Sequence, residues 1–190
     1  MSAPREVSDL GAPPRSRSVR RPIAIAAGAL LVALAAQVAV PVPFSPVPMT
    51  LQPLAVLAVG GLLGAPGGVA SLILYLGLGI AGLPVFAGGS SGIIHLLGPT
   101  GGYLLAFPVA AGVVGALAGS SAGVLRVLLA CAMGMVVIHT GGVAQLALLG
   151  GDPALAFRVG FVPFLTGDLL KVGLAAAVIL GGRSMVRGSN

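Results

Sequence analysis

The chain has 190 residues, of which 57% are hydrophobic and 7% charged. A soluble domain carries roughly 25% charged residues, so this chain lacks the polar surface to coat a water-soluble globule. Ten Lys/Arg stand against four Asp/Glu, a net charge of +6, but the excess is not a patch on a folded surface. Arg5, Glu6, Asp9, Arg15, Arg17, Arg20 and Arg21 crowd the N-terminus, and Pro22 through Leu125 carries no charged residue. A basic flank beside an apolar run is an orientation signal of a membrane protein, which argues against a nucleic-acid partner.

Residues 1–21 form a basic arm, expected to be cytoplasmic and disordered. The arm and the apolar stretch from Ile23 could be mistaken for a signal peptide. Everything downstream is equally apolar, so the stretch is read as a retained first span. A spanning helix needs about 20 apolar residues, and Pro/Gly clusters divide residues 22–182 into six candidates. They are Pro22–Val40, Leu51–Gly64, Gly68–Leu83, Gly101–Gly119, Val124–Leu149 and Phe161–Gly182. Residues 183–190 remain as a short C-terminal tail. The expected fold is therefore an all-α bundle of six transmembrane helices in the plasma membrane. Lys/Arg asymmetry predicts both termini in the cytoplasm: the arm, Arg126, Arg183 and Arg187 lie inside, against Arg158 outside. No run of alternating polar and apolar residues supports a β-barrel. Small residues recur at four-residue spacing (Ala29/Ala33, Ala35/Ala39, Gly60/Gly64, Gly115/Gly119), which lets helix backbones approach.

That topology places the intramembrane polar residues by depth. Gln37, Gln52, Tyr103, His139, Gln145, Asp168 and Lys171 all fall in the outer half. An unpaired charge at depth costs several kcal/mol, so such residues face a bundle interior or a cavity. The expectation is a polar pocket open to the outside, lidded by the loops 41–50 and 84–100. Asp168 and Lys171 are three apart and share a helix face. They offer an acceptor and a cationic donor, although a pair that merely fixes packing is the alternative.

Other motifs carry less. Gly77-Leu78-Gly79-Ile80-Ala81-Gly82 spells a dinucleotide fingerprint, but no strand precedes it and no acidic residue follows at the needed spacing. Without a Gly-Lys-Ser/Thr phosphate loop the chain cannot hydrolyse ATP by that route. Cys131 is read as a small buried hydrophobe. His95 and His139 have no supporting metal-ligand spacing, so no metal or cofactor is expected and both are read as structural. An intramembrane serine hydrolase would use Ser90 or Ser91 with His139, as Gly89-Ser90-Ser91-Gly92 suggests, but the motif lies in a loop rather than at a helix start. A channel with no bound state is a further alternative.

Four blocks in order carry a family resemblance. They are Pro41-Val42-Pro43-Phe44-Ser45-Pro46-Val47-Pro48-Met49-Thr50-Leu51-Gln52, Gly82-Leu83-Pro84-Val85-Phe86-Ala87-Gly88-Gly89, Leu97-Gly98-Pro99-Thr100-Gly101-Gly102-Tyr103, and Pro163-Phe164-Leu165 with Gly167-Asp168-Leu169-Leu170-Lys171. From about Ala29 to Ile179 the chain resembles the BioY family, biotin-binding S components of energy-coupling-factor (ECF) transporters. The resemblance implies a six-helix substrate-capture subunit rather than an enzyme. Its partners would be biotin, a transmembrane coupling subunit and paired ABC-type ATPases. It implies a binding site of Asp168, Lys171, Tyr103, Gln52, Phe86 and Gly88, with Lys171 on the valerate carboxylate and Asp168 on the ureido N–H groups. It also implies a coupling-subunit contact at Ala29 and Ala33. The chain has Gly88 and Gly89 where some relatives carry Asn, and Leu104 after Tyr103 where some carry Arg. Arg158 is the candidate for a replacement cation. An S component for another small vitamin is the alternative within the class.

Overall fold

A chain this poor in polar side chains must satisfy its backbone internally once it lies in lipid, and helices do so segment by segment. The computed structural model describes residues 15–188, which are helical almost throughout. In chain order it contains α1 (Arg15–Gln37), β1 (Ala39–Val40), β2 (Met49–Thr50), α2 (Gln52–Ile80), α3 (Ile94–Leu97), α4 (Gly101–Leu117), α5 (Val124–Gly150), α6 (Pro153–Gly160) and α7 (Leu165–Gly188). Short 3-10 turns at Ala87–Gly89 and Val162–Phe164 complete it. Among the described residues, four stretches are long and apolar enough to cross a bilayer: Val19–Gln37, Gln52–Ile80, Val124–Gly150 and Pro153–Ser184. α4 is apolar but shorter.

α2 is not one straight rod. Its residues Gln52 and Tyr75 are 23 positions apart, yet the Gln52 amide donates to the Tyr75 hydroxyl. Straight helix would hold them about 35 Å apart at 1.5 Å per residue. The helix folds back at Gly64, whose φ of 72° and ψ of 172° belong to a region essentially restricted to glycine. Pro66 follows and has no N–H to continue the ladder. The two arms then pack so closely that a Cβ on Gly68 would lie 2.9 Å from the Gly60 Cα. The expected second and third spans are these two arms.

α4 is the hub, packed along both α2 and α5. Glycines permit this contact, as small residues do between membrane helices. A Cβ on Gly60 would sit 2.5 Å from the Ala111 carbonyl oxygen, and one on Gly102 would collide with the Gly141 carbonyl. Val56, Leu57, Leu72, Ala110, Val114, Cys131, Ile138 and Ile179 fill the interior. Leu30, Leu34, Ile73, Val109, Leu129, Val136 and Leu169 are exposed, which suits a lipid-facing surface because lipid is as apolar as they are.

Several local expectations are corrected. α1 starts at Arg15, so the last part of the expected disordered arm is helical; residues 1–14 lie outside the described residues. At the other end α7 runs to Gly188, into the expected tail. The long loops contain structure: β1 pairs antiparallel with β2, and α3 interrupts the second loop. The turn before the sixth span includes α6, because Asp152 caps it by accepting from Leu155 N–H at 3.0 Å. Ala29 is turned inward at 1% exposure, with Ala33 half-buried against the same core. A Cβ on neighbouring Gly28 would lie 2.6 Å from Ser71 Oγ, so this face of α1 is tightly applied to α2. Ala29 therefore packs within this chain.

Candidate functional site

One end of the bundle gathers the C-terminus of α1, both ends of the α2 hairpin, and the first turns of α4 and α7. The side chains there enclose a cavity of about 290 Å³. Val47, Phe86, Leu104, Phe107, Ile138 and Phe164 give it an apolar wall, and Gln52, Tyr103, His139, Asp168 and Lys171 supply polar groups. Pro48, Thr50, Ala87, Ser90 and His95 bring both long loops to its rim. Two glutamines tie the second of these loops down. Gln145 Nε2 donates to the Leu96 and Gly98 carbonyls at 2.8 and 2.7 Å, and Gln37 Nε2 reaches the Phe86 carbonyl at 3.4 Å.

The centre of the cluster is Asp168. Lys171 Nζ donates to its Oδ1 at 2.8 Å, and His139 Nε2 lies 2.6 Å from its Oδ2. Asp168 and Lys171 are each 5% exposed and His139 is 7% exposed. An ionised carboxylate only accepts hydrogen bonds, so the imidazole carries its hydrogen on Nε2. The ring is held among Tyr103, Phe161 and Phe164, with centroids 6.0, 4.9 and 6.2 Å away. The i, i+3 spacing on α7 makes the Asp168–Lys171 pair local. His139 comes from α5, and its role as partner of Asp168 had no signal in sequence: a lone histidine in an apolar run looks the same whether or not it meets a carboxylate.

The other polar wall groups are internally engaged. Gln52 holds Tyr75 and accepts from Thr50 Oγ1 at 3.2 Å. Tyr103 donates to the Gly160 carbonyl at 2.6 Å, and Thr100 donates to the His95 carbonyl at 3.3 Å. Ser90 Oγ donates to the Ala87 carbonyl at 2.8 Å. The serine and His139 thus have other partners, and the arrangement lacks the Ser–His hydrogen bond a hydrolase needs. Gly88 does not line the cavity; its neighbours Ala87 and Ser90 do, while Gly88 serves the turn with a φ of 67°. Arg158 is exposed on α6 and lies off the cavity wall.

A helical bundle with lipid-facing leucines and a lidded, largely apolar cavity around a buried ion pair is a membrane protein able to hold a small amphipathic ligand. More narrowly, this chain belongs to the BioY family, whose pattern matches residues 8–188. It is 42% identical over 153 residues to the probable biotin transporter BioY of Pyrococcus horikoshii, covering 80% of this chain and 88% of that one. It is 40% identical to the biotin transporter BioY of Thermotoga maritima, over 73% of this chain and 82% of the relative. The crystal structure of the S-component for biotin from an ECF-type ABC transporter superposes with a TM-score of 0.83 at 25% identity. That likeness covers 93% of this chain and 95% of the other.

Proposed function

We propose that the chain is the substrate-capture subunit of an ECF-type ABC importer and that its ligand is biotin. The observation that carries this reading is the cavity: a buried acceptor–donor pair set in a sleeve of aromatic and aliphatic side chains. Biotin has a cyclic urea at one end, a carboxylate at the other, and a thioether ring and alkyl chain between. The apolar wall suits the middle. Asp168 retains acceptor capacity for the urea N–H groups, and Lys171 has two N–H bonds left for the urea oxygen.

Asp168 and Lys171 are hydrogen-bonded to each other, which supports a reading in which they address one end of the ligand together. Their charges cancel, which favours the neutral urea.

In the plasma membrane the α2 arms count as two of six spanning segments, with both termini cytoplasmic and the cavity facing outward. The chain has no ATP-binding loop, so uptake draws on a transmembrane coupling subunit and paired ATPases. Biotin is carried as substrate and no cofactor is required. Titration of the purified chain should give saturable, stoichiometric biotin binding. Absence of saturation at micromolar biotin would overturn the reading, and preference for a different vitamin in a thermal-shift panel would redirect it.

A further inference from the structure

A ligand with polar groups at both ends needs a second polar contact away from the Asp168–Lys171 pair. Among the described residues, every polar side chain on the cavity wall but one already makes a hydrogen bond within the chain. The exception is His95. It lines the cavity from α3, is half-buried, and its ring meets that of Phe86 edge-on at a centroid distance of 6.0 Å. Its backbone is fixed from several sides: its N–H donates to the Gly92 carbonyl at 3.2 Å, its carbonyl accepts from Thr100, and the next residue, Leu96, is held by Gln145. The ring thus has no hydrogen-bond partner within the chain, on a backbone that is well anchored, and its nitrogens are available to a ligand. The positions flanking the rim, Gly88, Gly89 and Leu104, contribute no donor side chain.

We propose that His95 is a specificity-determining residue, donating a ring N–H to the carboxylate end of the ligand while the Asp168–Lys171–His139 cluster holds the urea end. A hydrogen bond to a carboxylate is charge-assisted and about twice as strong as a neutral one. The lid thus reads the ligand's charged end, and the bundle reads its neutral end. The proposal rests on biotin being the ligand and deepens that reading.

The test compares biotin with biotinamide, in which a neutral carboxamide replaces the carboxylate, on the full chain purified in detergent. His95→Leu should weaken biotin at least tenfold, change biotinamide much less, and so shrink the preference between them. His95→Gln, which keeps a donor, should recover part of the loss. Asp168→Asn should weaken both ligands alike. Unchanged biotin affinity in His95→Leu would overturn the proposal, and so would an equal loss for both ligands, which would make His95 a packing residue against Phe86. Melting temperatures identify any variant that fails to fold; in that case His95→Gln and His95→Asn decide the matter by the same preference ratio. A wild-type chain that binds neither ligand would instead refute biotin as the ligand, and the role of His95 with it.

Discussion

His139 Nε2 lies 2.6 Å from Asp168 Oδ2, joining α5 to α7 across the cavity wall. The contact makes Asp168 the acceptor for two donors from two helices. It also couples the ligand cluster to the packing of the bundle, because the imidazole is wedged among three aromatic rings.

Loss of His139 should therefore act through Asp168. A hydrogen bond to a charged group contributes about 1.5–3 kcal/mol. His139→Leu should weaken biotin binding by roughly tenfold, equivalent to about 1.4 kcal/mol, and lower the melting temperature. His139→Gln keeps a donor at similar reach and should fall between the two. Calorimetric titration with a parallel thermal melt checks both effects; equal behaviour of Leu and Gln variants would show that the hydrogen bond does not matter.

The Asp168–Lys171 pair makes a prediction with an internal control. Removing one member of a buried pair leaves an uncompensated charge and costs about 3–5 kcal/mol. Asp168→Ala and Lys171→Ala should each lower the melting temperature clearly, and each should weaken biotin at least tenfold. The double variant should bind as poorly as the singles but melt higher than either. Melting curves of the three proteins side by side decide it.

Gly64 and Gly77 should respond in opposite directions. Gly64 adopts its glycine-only conformation with nothing within 4 Å of an added Cβ, so Gly64→Ala brings pure backbone strain of about 1–3 kcal/mol. Gly77 is exposed and helical, with the same open space. There Gly→Ala should be neutral or stabilising by up to about 1 kcal/mol. Thermal stability in one detergent distinguishes the two.

At Gly102 the penalty is steric. Its Cβ would collide with the Gly141 carbonyl at the α4–α5 crossing, and overpacking of this kind costs about 1–3 kcal/mol. Gly102→Ala should lower the melting temperature and, because Tyr103 follows it on the cavity wall, weaken biotin as well.

Gln145 offers a kinetic readout. It holds the end of α3 through two carbonyls, so Gln145→Leu should free the lid. The expected result is faster biotin release with little change in association, measured by stopped-flow displacement. An unchanged release rate would mean that α3 is held by other contacts.

Sequence alone settled whatever depends on composition and on neighbours along the chain. The dearth of charge demanded a lipid environment. Gly64-Ala65-Pro66 marked the fold-back of α2, because glycine and proline act on the backbone where they stand. Asp168 and Lys171 were legible as a pair because a helix brings positions three apart onto one face. Tertiary structure decided what depends on how helices face one another. Every span is apolar around its whole circumference, so hydrophobic periodicity could not say that Ala29 turns inward, that His139 reaches Asp168, or that Gly102 meets Gly141. The short elements α3 and α6 were equally silent, since a few residues carry too little pattern and owe their form to a tether or a cap. The ion pair was written locally; its third partner, His139, and the placing of His95 on the cavity wall exist only in the packed bundle.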